Sequence, residues 1–144
     1  MRKSYIVSAK RTAIGSFLGG LATVKPKDMG SAVVKALLED ANVAPENVDE
    51  VICGNVLGAG LGQNIGRQVS IAAGIPVEVC AQSINMLCGS GLKAVMEATL
   101  RIQAGFGDIY VAGGVESMSG APYLIPANTR TGNKMGDFKC VDHM

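Results

Sequence analysis

Apolar and polar positions along the chain form blocks that predict strands and helices in alternation. Short, almost continuous apolar runs at residues 5–9, 48–56, 79–84 and 108–114 fit buried strands. Between them, residues 28–41, 69–73 and 92–100 place apolar side chains at helical spacing. The sequence therefore predicts an α/β fold, a mostly parallel mixed sheet with helices on both faces.

Three finer expectations follow from the same pattern. Asp28 comes directly after Lys25-Pro26-Lys27 and fits the N-cap of the first helix. Residues 108–114 are almost wholly apolar, so we expect that strand in the sheet interior. From residue 120, prolines, glycines and scattered cations predict a long loop or the start of an inserted region.

Cys88 stands where the third predicted strand gives way to the third predicted helix. A thiol there lies near the unpaired N–H groups and the positive dipole end of the helix, which favour thiolate over thiol. Gly89, Ser90 and Gly91 follow it and leave room for another molecule to approach the backbone. A buried cysteine packed as a small apolar residue is the alternative. Position and flanking glycines favour a nucleophile.

A glycine-rich stretch at residues 58–66 superficially resembles a phosphate-binding loop. No Gly-Lys-Ser/Thr follows it, and no acidic ribose partner stands at the expected distance after a first strand. Nucleotide binding by this stretch is therefore disfavoured.

Three segments resemble those of the thiolases, the acetyl-CoA acetyltransferases. Residues 85–94 (NMLCGSGLKA) resemble the acyl-enzyme cysteine motif, residues 113–119 (GGVESMS) a second signature, and residues 9–15 (AKRTAIG) the N-terminal segment. The resemblance covers most of this chain but only the N-terminal part of a thiolase. It implies an incomplete thiolase-like N-terminal half-domain over residues 1–119 and the start of an inserted loop domain over residues 120–144.

The implied chemistry is acyl transfer from a thioester. The Cys88 thiolate would attack acetyl-CoA or another acyl-CoA and store the acyl group as an S-acyl enzyme, with ping-pong kinetics that form or cleave acetoacetyl-CoA. The amides of Cys88 and Gly89 are the expected oxyanion donors. The CoA thioester is a substrate, and no cofactor is expected. The family's second cysteine and Gly-His-Pro motif are missing from this sequence, so we expect the 144 residues alone to be inactive in acetoacetyl-CoA thiolysis.

Other residues are expected near Cys88. Asn85, Glu116 and Met118 are interpreted as structural residues beside the site, with Glu116 accepting backbone N–H bonds that fix a turn. His143 is interpreted as a loop histidine without a catalytic role.

The resemblance also implies contacts between subunits of a homodimer or homotetramer. It places Gln63 and Arg67 near the catalytic cysteine and the subunit interface. It places Met135 on a tetramerisation loop near the pantetheine of a neighbouring subunit.

Composition and charge exclude several other classes of function. A net charge of +1, 4% aromatic residues and no tryptophan argue against nucleic-acid binding. No signal-peptide core or membrane-length apolar window occurs in the sequence, so cytoplasmic is the expectation. Four cysteines without a CxxC pair and a single histidine do not suggest a metal site. Two alternatives stay open: a ketosynthase-like condensing enzyme that uses acyl carrier protein, and a non-catalytic dimerisation fragment.

Overall fold

The computed structural model describes residues 2–144. Three helices and three strands alternate over residues 26–114, and two short strands follow in the last quarter of the chain. The elements are α1 (Pro26–Asp40), β1 (Glu50–Gly54), α2 (Ile65–Ala73), β2 (Cys80–Ile84), α3 (Ser90–Ala104), β3 (Tyr110–Gly114), β4 (Tyr123–Leu124) and β5 (Val141–Asp142). Two 3₁₀ turns lie at Pro45–Asn47 and Ala127–Thr131.

The main sheet has the strand order β2-β1-β3, and both pairs are parallel. Gly54 at the end of β1 is in register with Ile84 of β2 and with Gly114 of β3. The carboxyl ends of all three strands therefore lie at one edge of the sheet, where ligands of parallel α/β sheets bind.

Successive residues of β1 face opposite layers of helix. Val51 and Cys53 pack with Val34 of α1 and Val69 of α2, whereas Ile52 packs with Ala94 of α3. Every residue of β1 is buried, as a strand covered on both faces requires. The predicted α/β fold with helices on both faces is confirmed. Both strand pairs of the main sheet are parallel, and the antiparallel pair β4–β5 forms a separate ribbon.

The prediction of a buried strand at residues 5–9 was wrong. The segment has no strand assignment, and Tyr5, Ile6 and Val7 are 74%, 80% and 76% exposed. A groove of about 470 Å³ lies between this segment and residues 109–112, so the segment does not extend the ladder beyond β3. It is held instead by its polar residues.

Two of these polar residues attach the N-terminal segment to the end of α1. Lys10 Nζ and Ser8 Oγ donate to the carboxylate of Asp40 at 2.7 and 2.6 Å. These bonds lower the pKa of Asp40, with Lys10 the larger cause. The apolar N-terminal segment therefore lies on the surface and is held there by ionic and polar contacts.

Two finer expectations also need correction. The N-cap of α1 is Lys25, with Pro26 at the first helical position, so Asp28 lies inside the first turn. The strand at 110–114 is at the edge of the sheet and only partly buried, because β1 takes the central position and residues 5–9 do not pair with β3.

Residues 120–144 lie outside the main sheet and are mostly exposed. β4 and β5 pair antiparallel, with Tyr123 in register with Asp142. The domain boundary expected at residue 120 stays a prediction. No helix among residues 2–144 is both long and apolar enough to cross a membrane.

Candidate active site

Cys88 lies in a tight turn between the carboxyl end of β2 and the first turn of α3. Its thiol is free and the residue is exposed. Before it, Asn85 Oδ1 accepts a hydrogen bond from the Leu87 amide at 3.0 Å, and Leu87 has φ 51, in the left-handed region. After it, Gly89 is the N-cap of α3. The position expected for Cys88, at a strand-to-helix junction, is the one observed, and Asn85 has a structural contact in the same turn.

Ser90 is the residue of this turn that sequence reasoning missed. Its hydroxyl accepts a hydrogen bond from the Met86 amide at 2.8 Å and donates to the Leu87 carbonyl at 2.6 Å. Serine at the start of a helix commonly bonds to nearby backbone. This preference could have predicted the contacts of Ser90, but the sequence analysis interpreted the position only as space for another molecule.

The amide of Gly89 is already engaged within the turn, since it donates to the Met86 carbonyl at 3.1 Å. The oxyanion role expected for the Gly89 amide stays a prediction, and it would require this bond to be released. The bond closes a four-residue turn from Met86 to Gly89. The same role for the Cys88 amide stays a prediction.

The start of α3 rests directly on the backbone of β1. A Cβ on Gly54 would lie 2.7 Å from the Gly91 amide nitrogen and 2.8 Å from the Ser90 Cβ. Real Cβ atoms do not approach other atoms this closely, so only glycine allows α3 to sit at this depth. Gly54 thus contributes to the position of the turn that holds Cys88.

Glu116 connects the segment after β3 to the loop after β1. Its Oε1 accepts from Asn55 Nδ2 at 2.9 Å and from the Leu57 amide at 3.0 Å, and its Oε2 accepts from the Val56 amide at 2.9 Å. Asn55 Nδ2 also donates to the Val115 carbonyl at 3.0 Å. The carboxylate therefore accepts backbone N–H bonds, the kind of contact expected for it. Asn55, at the end of β1, was not singled out from the sequence.

Gln63 lies in the segment that connects β1 to α2, and Arg67 lies in the first turn of α2. The Arg67 guanidinium donates to the carbonyls of Val77 and Val79 at 2.6 and 2.7 Å, which fastens α2 to the chain entering β2. The Gln63 carbonyl accepts from Gln68 Nε2 at 3.1 Å. The Arg67 contacts lie at the start of β2, whereas Cys88 follows its end. An interface role for Gln63 or Arg67 stays a prediction.

The two methionines and the histidine are on the periphery. Met118 and Met135 are 56% and 93% exposed. His143 accepts a hydrogen bond from the Ala59 amide at 3.3 Å, so it links the β4–β5 ribbon to the glycine-rich loop. The roles given to Met118 and Met135 stay predictions.

The other thiols differ from Cys88 in their surroundings. Cys53 is buried, and burial raises its pKa to about 11, with the Glu116 charge acting in the same direction. Cys80 is exposed at the amino end of β2, whereas Cys88 follows the carboxyl end of the same strand. Cys140 is exposed directly before β5. Within residues 2–144, acidic, histidine and cysteine side chains form no cluster able to hold a metal ion.

Comparison with known proteins identifies the family. A family model described as "Thiolase, N-terminal domain" matches residues 4–144. The chain is 55% identical over 139 residues to an acetyl-CoA acetyltransferase of Cupriavidus necator, covering 96% of this chain and 35% of that one. It is 56% identical over 137 residues to a cytosolic acetyl-CoA acetyltransferase of Mus musculus, covering 95% and 34%.

A solved structure agrees with the sequence matches. The Acat5 thiolase of Ascaris suum, determined in complex with coenzyme A, superposes with a TM-score of 0.92 at 41% identity, covering 98% of this chain and 36% of that one. The protein described here belongs to the thiolase family. It spans about 35% of the length of the curated relatives it matches.

Proposed function

We propose that this chain supplies the acyl-accepting cysteine of an acetyl-CoA C-acetyltransferase. The observation that carries the proposal is the exposed Cys88 thiol, held in a turn with a left-handed residue at the junction of β2 and α3. Strained turns of this kind cluster at reactive residues. The named activity of the relatives supports the acetyl-CoA assignment.

The first half-reaction is an attack of the Cys88 thiolate on the thioester carbonyl of acetyl-CoA. A bond forms between Sγ and the carbonyl carbon, the bond from that carbon to the CoA sulfur breaks, and CoA leaves as its thiolate. The Cys88 amide is the candidate donor to the oxygen that becomes negative in between. The acetyl group then remains on Cys88.

In the second half-reaction, the acetyl group is transferred to the deprotonated methyl carbon of another acetyl-CoA, which gives acetoacetyl-CoA and regenerates the thiolate. Abstraction of that methyl proton requires a base, which we assign to residues outside this chain. The order of events is ping-pong, in either direction. By analogy with the cytosolic relative of Mus musculus, we propose a cytosolic protein. The homodimer or homotetramer that the thiolase resemblance implies is part of the same proposal.

The direct test is S-acylation of the purified chain. Incubation with acetyl-CoA followed by peptide mapping by mass spectrometry should find the acetyl group on the Cys88 peptide, and Cys88→Ala should abolish it. Cys80→Ala is the matched control, because Cys80 is equally free and exposed but lies at the amino end of β2. It should leave acetylation unchanged.

The same assay separates the alternatives. Acylation from an acyl carrier protein thioester but not from acetyl-CoA would replace the proposal with a ketosynthase-like enzyme. A folded chain that is acylated by neither donor would leave a dimerisation fragment. Acetylation of Cys80 or Cys140 in preference to Cys88 would refute the assignment of the nucleophile.

A further inference from the structure

Ser90 has a buried hydroxyl that the proposed acyl transfer does not use. The residue is 4% exposed, and its hydroxyl spans the two residues immediately before Cys88. It accepts from the amide of Met86 and donates to the carbonyl of Leu87. One side chain thus bonds to both residues that lead into the cysteine.

Leu87 is the strained member of this turn. Its φ of 51 lies in the left-handed region, which is unfavourable for a residue with a side chain. Leu87 is also 69% exposed, so burial of its side chain does not hold it there. Its backbone is held by hydrogen bonds: the amide donates to Asn85 Oδ1, and the carbonyl accepts from the Ser90 hydroxyl and the Ser90 amide.

We infer that Ser90 is a positioning residue, which holds Leu87 in the left-handed conformation and thereby orients the Cys88 thiol at the start of α3. The inference rests on the proposed role of Cys88 as nucleophile. Ser90 does not touch substrate and acts through Cys88. Its own position is fixed, because a Cβ on Gly54 would lie 2.8 Å from the Ser90 Cβ, so α3 has no space to settle deeper.

Removal of the hydroxyl releases the turn at its strained residue. Leu87 then relaxes toward the common extended or helical backbone conformations, and Cys88 swings away from the helix start. A thiol displaced in this way loses the favourable environment of the helix N-terminus, so its reactivity falls although it stays exposed. General unfolding gives a different signature, since it would expose the buried Cys53.

The experiment measures the rate of iodoacetamide labelling at each cysteine by peptide mapping, at neutral pH, in the unsubstituted chain and in Ser90→Ala. Cys88 labelling should slow by about five- to tenfold, the factor that corresponds to one ordinary hydrogen bond. Cys80 and Cys140 should keep their rates, and Cys53 should stay protected.

Ser31→Ala is the matched control. Ser31 is another buried serine whose hydroxyl donates to the carbonyl three residues earlier, that of Asp28 at 3.2 Å, but it lies in α1. Its loss removes the same kind of bond away from the turn, so Cys88 labelling should not change.

A second variant tests the route through Leu87. Glycine adopts a positive φ without strain, so Leu87→Gly should let the turn keep its shape without the hydroxyl. In that background, Ser90→Ala should slow Cys88 labelling by about twofold or less, which a general loss of stability would not produce. If Ser90→Ala alone exposes Cys53, the double variant should restore its protection.

Several results would overturn the inference. Unchanged Cys88 labelling in Ser90→Ala with Cys53 protected would do so, as would an equal loss in the Leu87→Gly background or a double variant that leaves Cys53 exposed. The unsubstituted chain reports separately on the proposed function. Cys88 labelling no faster than that of Cys80 and Cys140 would refute the nucleophile, whereas the Ser90 comparison is read on Cys88 alone.

Discussion

Asn55 and Glu116 join the carboxyl ends of β1 and β3 through a hydrogen bond of 2.9 Å from Asn55 Nδ2 to Glu116 Oε1. The same carboxylate accepts from the amides of Val56 and Leu57, so both of its oxygens are in use. Each oxygen of the Glu116 side chain therefore accepts at least one N–H bond from the segment that follows β1. The shape of the loop after β1 therefore depends on one side chain about sixty residues further along the chain.

Glu116→Gln should lower the free energy of unfolding by about 1–3 kcal/mol, because the new NH₂ group faces an N–H donor and leaves it without an acceptor. Urea denaturation measures the change. Glu78→Gln is the control, since Glu78 is exposed in the loop before β2. Equal effects of the two substitutions would contradict the role given to Glu116.

Gly54→Ala should destabilise the protein by about 1–3 kcal/mol, because the added methyl group overlaps the first turn of α3. It should also slow alkylation of Cys88, since α3 must move away from β1.

Gly113→Ala is the control for this substitution. Gly113 lies on the neighbouring strand β3, but a Cβ there meets nothing within 4 Å. Its substitution should change neither stability nor labelling by much. Loss of Cys88 reactivity in Gly113→Ala but not in Gly54→Ala would show that contact with β1 does not place the turn.

Because the Cys53 thiol is buried, we expect the folded protein to lose stability at alkaline pH. Its folded pKa of about 11 lies above the ordinary value of 9.0, so the folded state keeps a proton that the unfolded state releases. The part of the free energy of unfolding that comes from the raised pKa of Cys53 is fully present below pH 9 and is lost as pH rises toward 11. A shift of this size corresponds to about 2–3 kcal/mol.

The free energy of unfolding measured from pH 8 to pH 11 should therefore fall more steeply in the unsubstituted chain than in Cys53→Ala. The alanine variant begins from a lower stability, since a buried sulfur is lost, but the slopes are what the test compares. Parallel curves would show that this thiol does not titrate with folding.

We predict that the chain self-associates through the exposed apolar side of α3. Leu92, Met96 and Leu100 recur every four residues along one side of α3 and are 68%, 48% and 55% exposed. A contiguous exposed apolar stripe favours association. Met96→Lys should reduce the apparent mass in light scattering, whereas Phe106→Lys, at an exposed phenylalanine beyond the helix, should have less effect. The reverse order would remove α3 as the contact surface.

The sequence was sufficient for the elements of the core. Apolar runs and helical spacing located β1, β2, β3 and the three helices, and burial on both faces explains why the apolar run at β1 is strong. The same reasoning failed at residues 5–9, where an apolar run of the right length lies on the surface. Pairing is decided by which backbone lies next to which, and hydrophobicity does not encode that information.

The candidate site also has features that the sequence predicted and features that it did not. The position of Cys88 followed from the change of pattern at residue 88, and the polar contact of Glu116 followed from a carboxylate in an apolar setting. The Ser90 contacts had a sequence signal that was not used, because serine at the start of a helix commonly bonds to nearby backbone. The bond from the Gly89 amide to the Met86 carbonyl could not be inferred, because it depends on the φ of Leu87. A left-handed leucine has no sequence signature, unlike a left-handed glycine or asparagine.

The parallel register of the sheet also has a consequence for synthesis on the ribosome. Glu50 of β1 pairs with Cys80 and with Tyr110, so the partners of the central strand are translated thirty and sixty residues after it. At about 5–20 residues per second, β1 waits roughly 3–12 s for its second neighbour. During that interval the strand that becomes fully buried in the folded protein has an open edge, which exposes the nascent chain to misassociation.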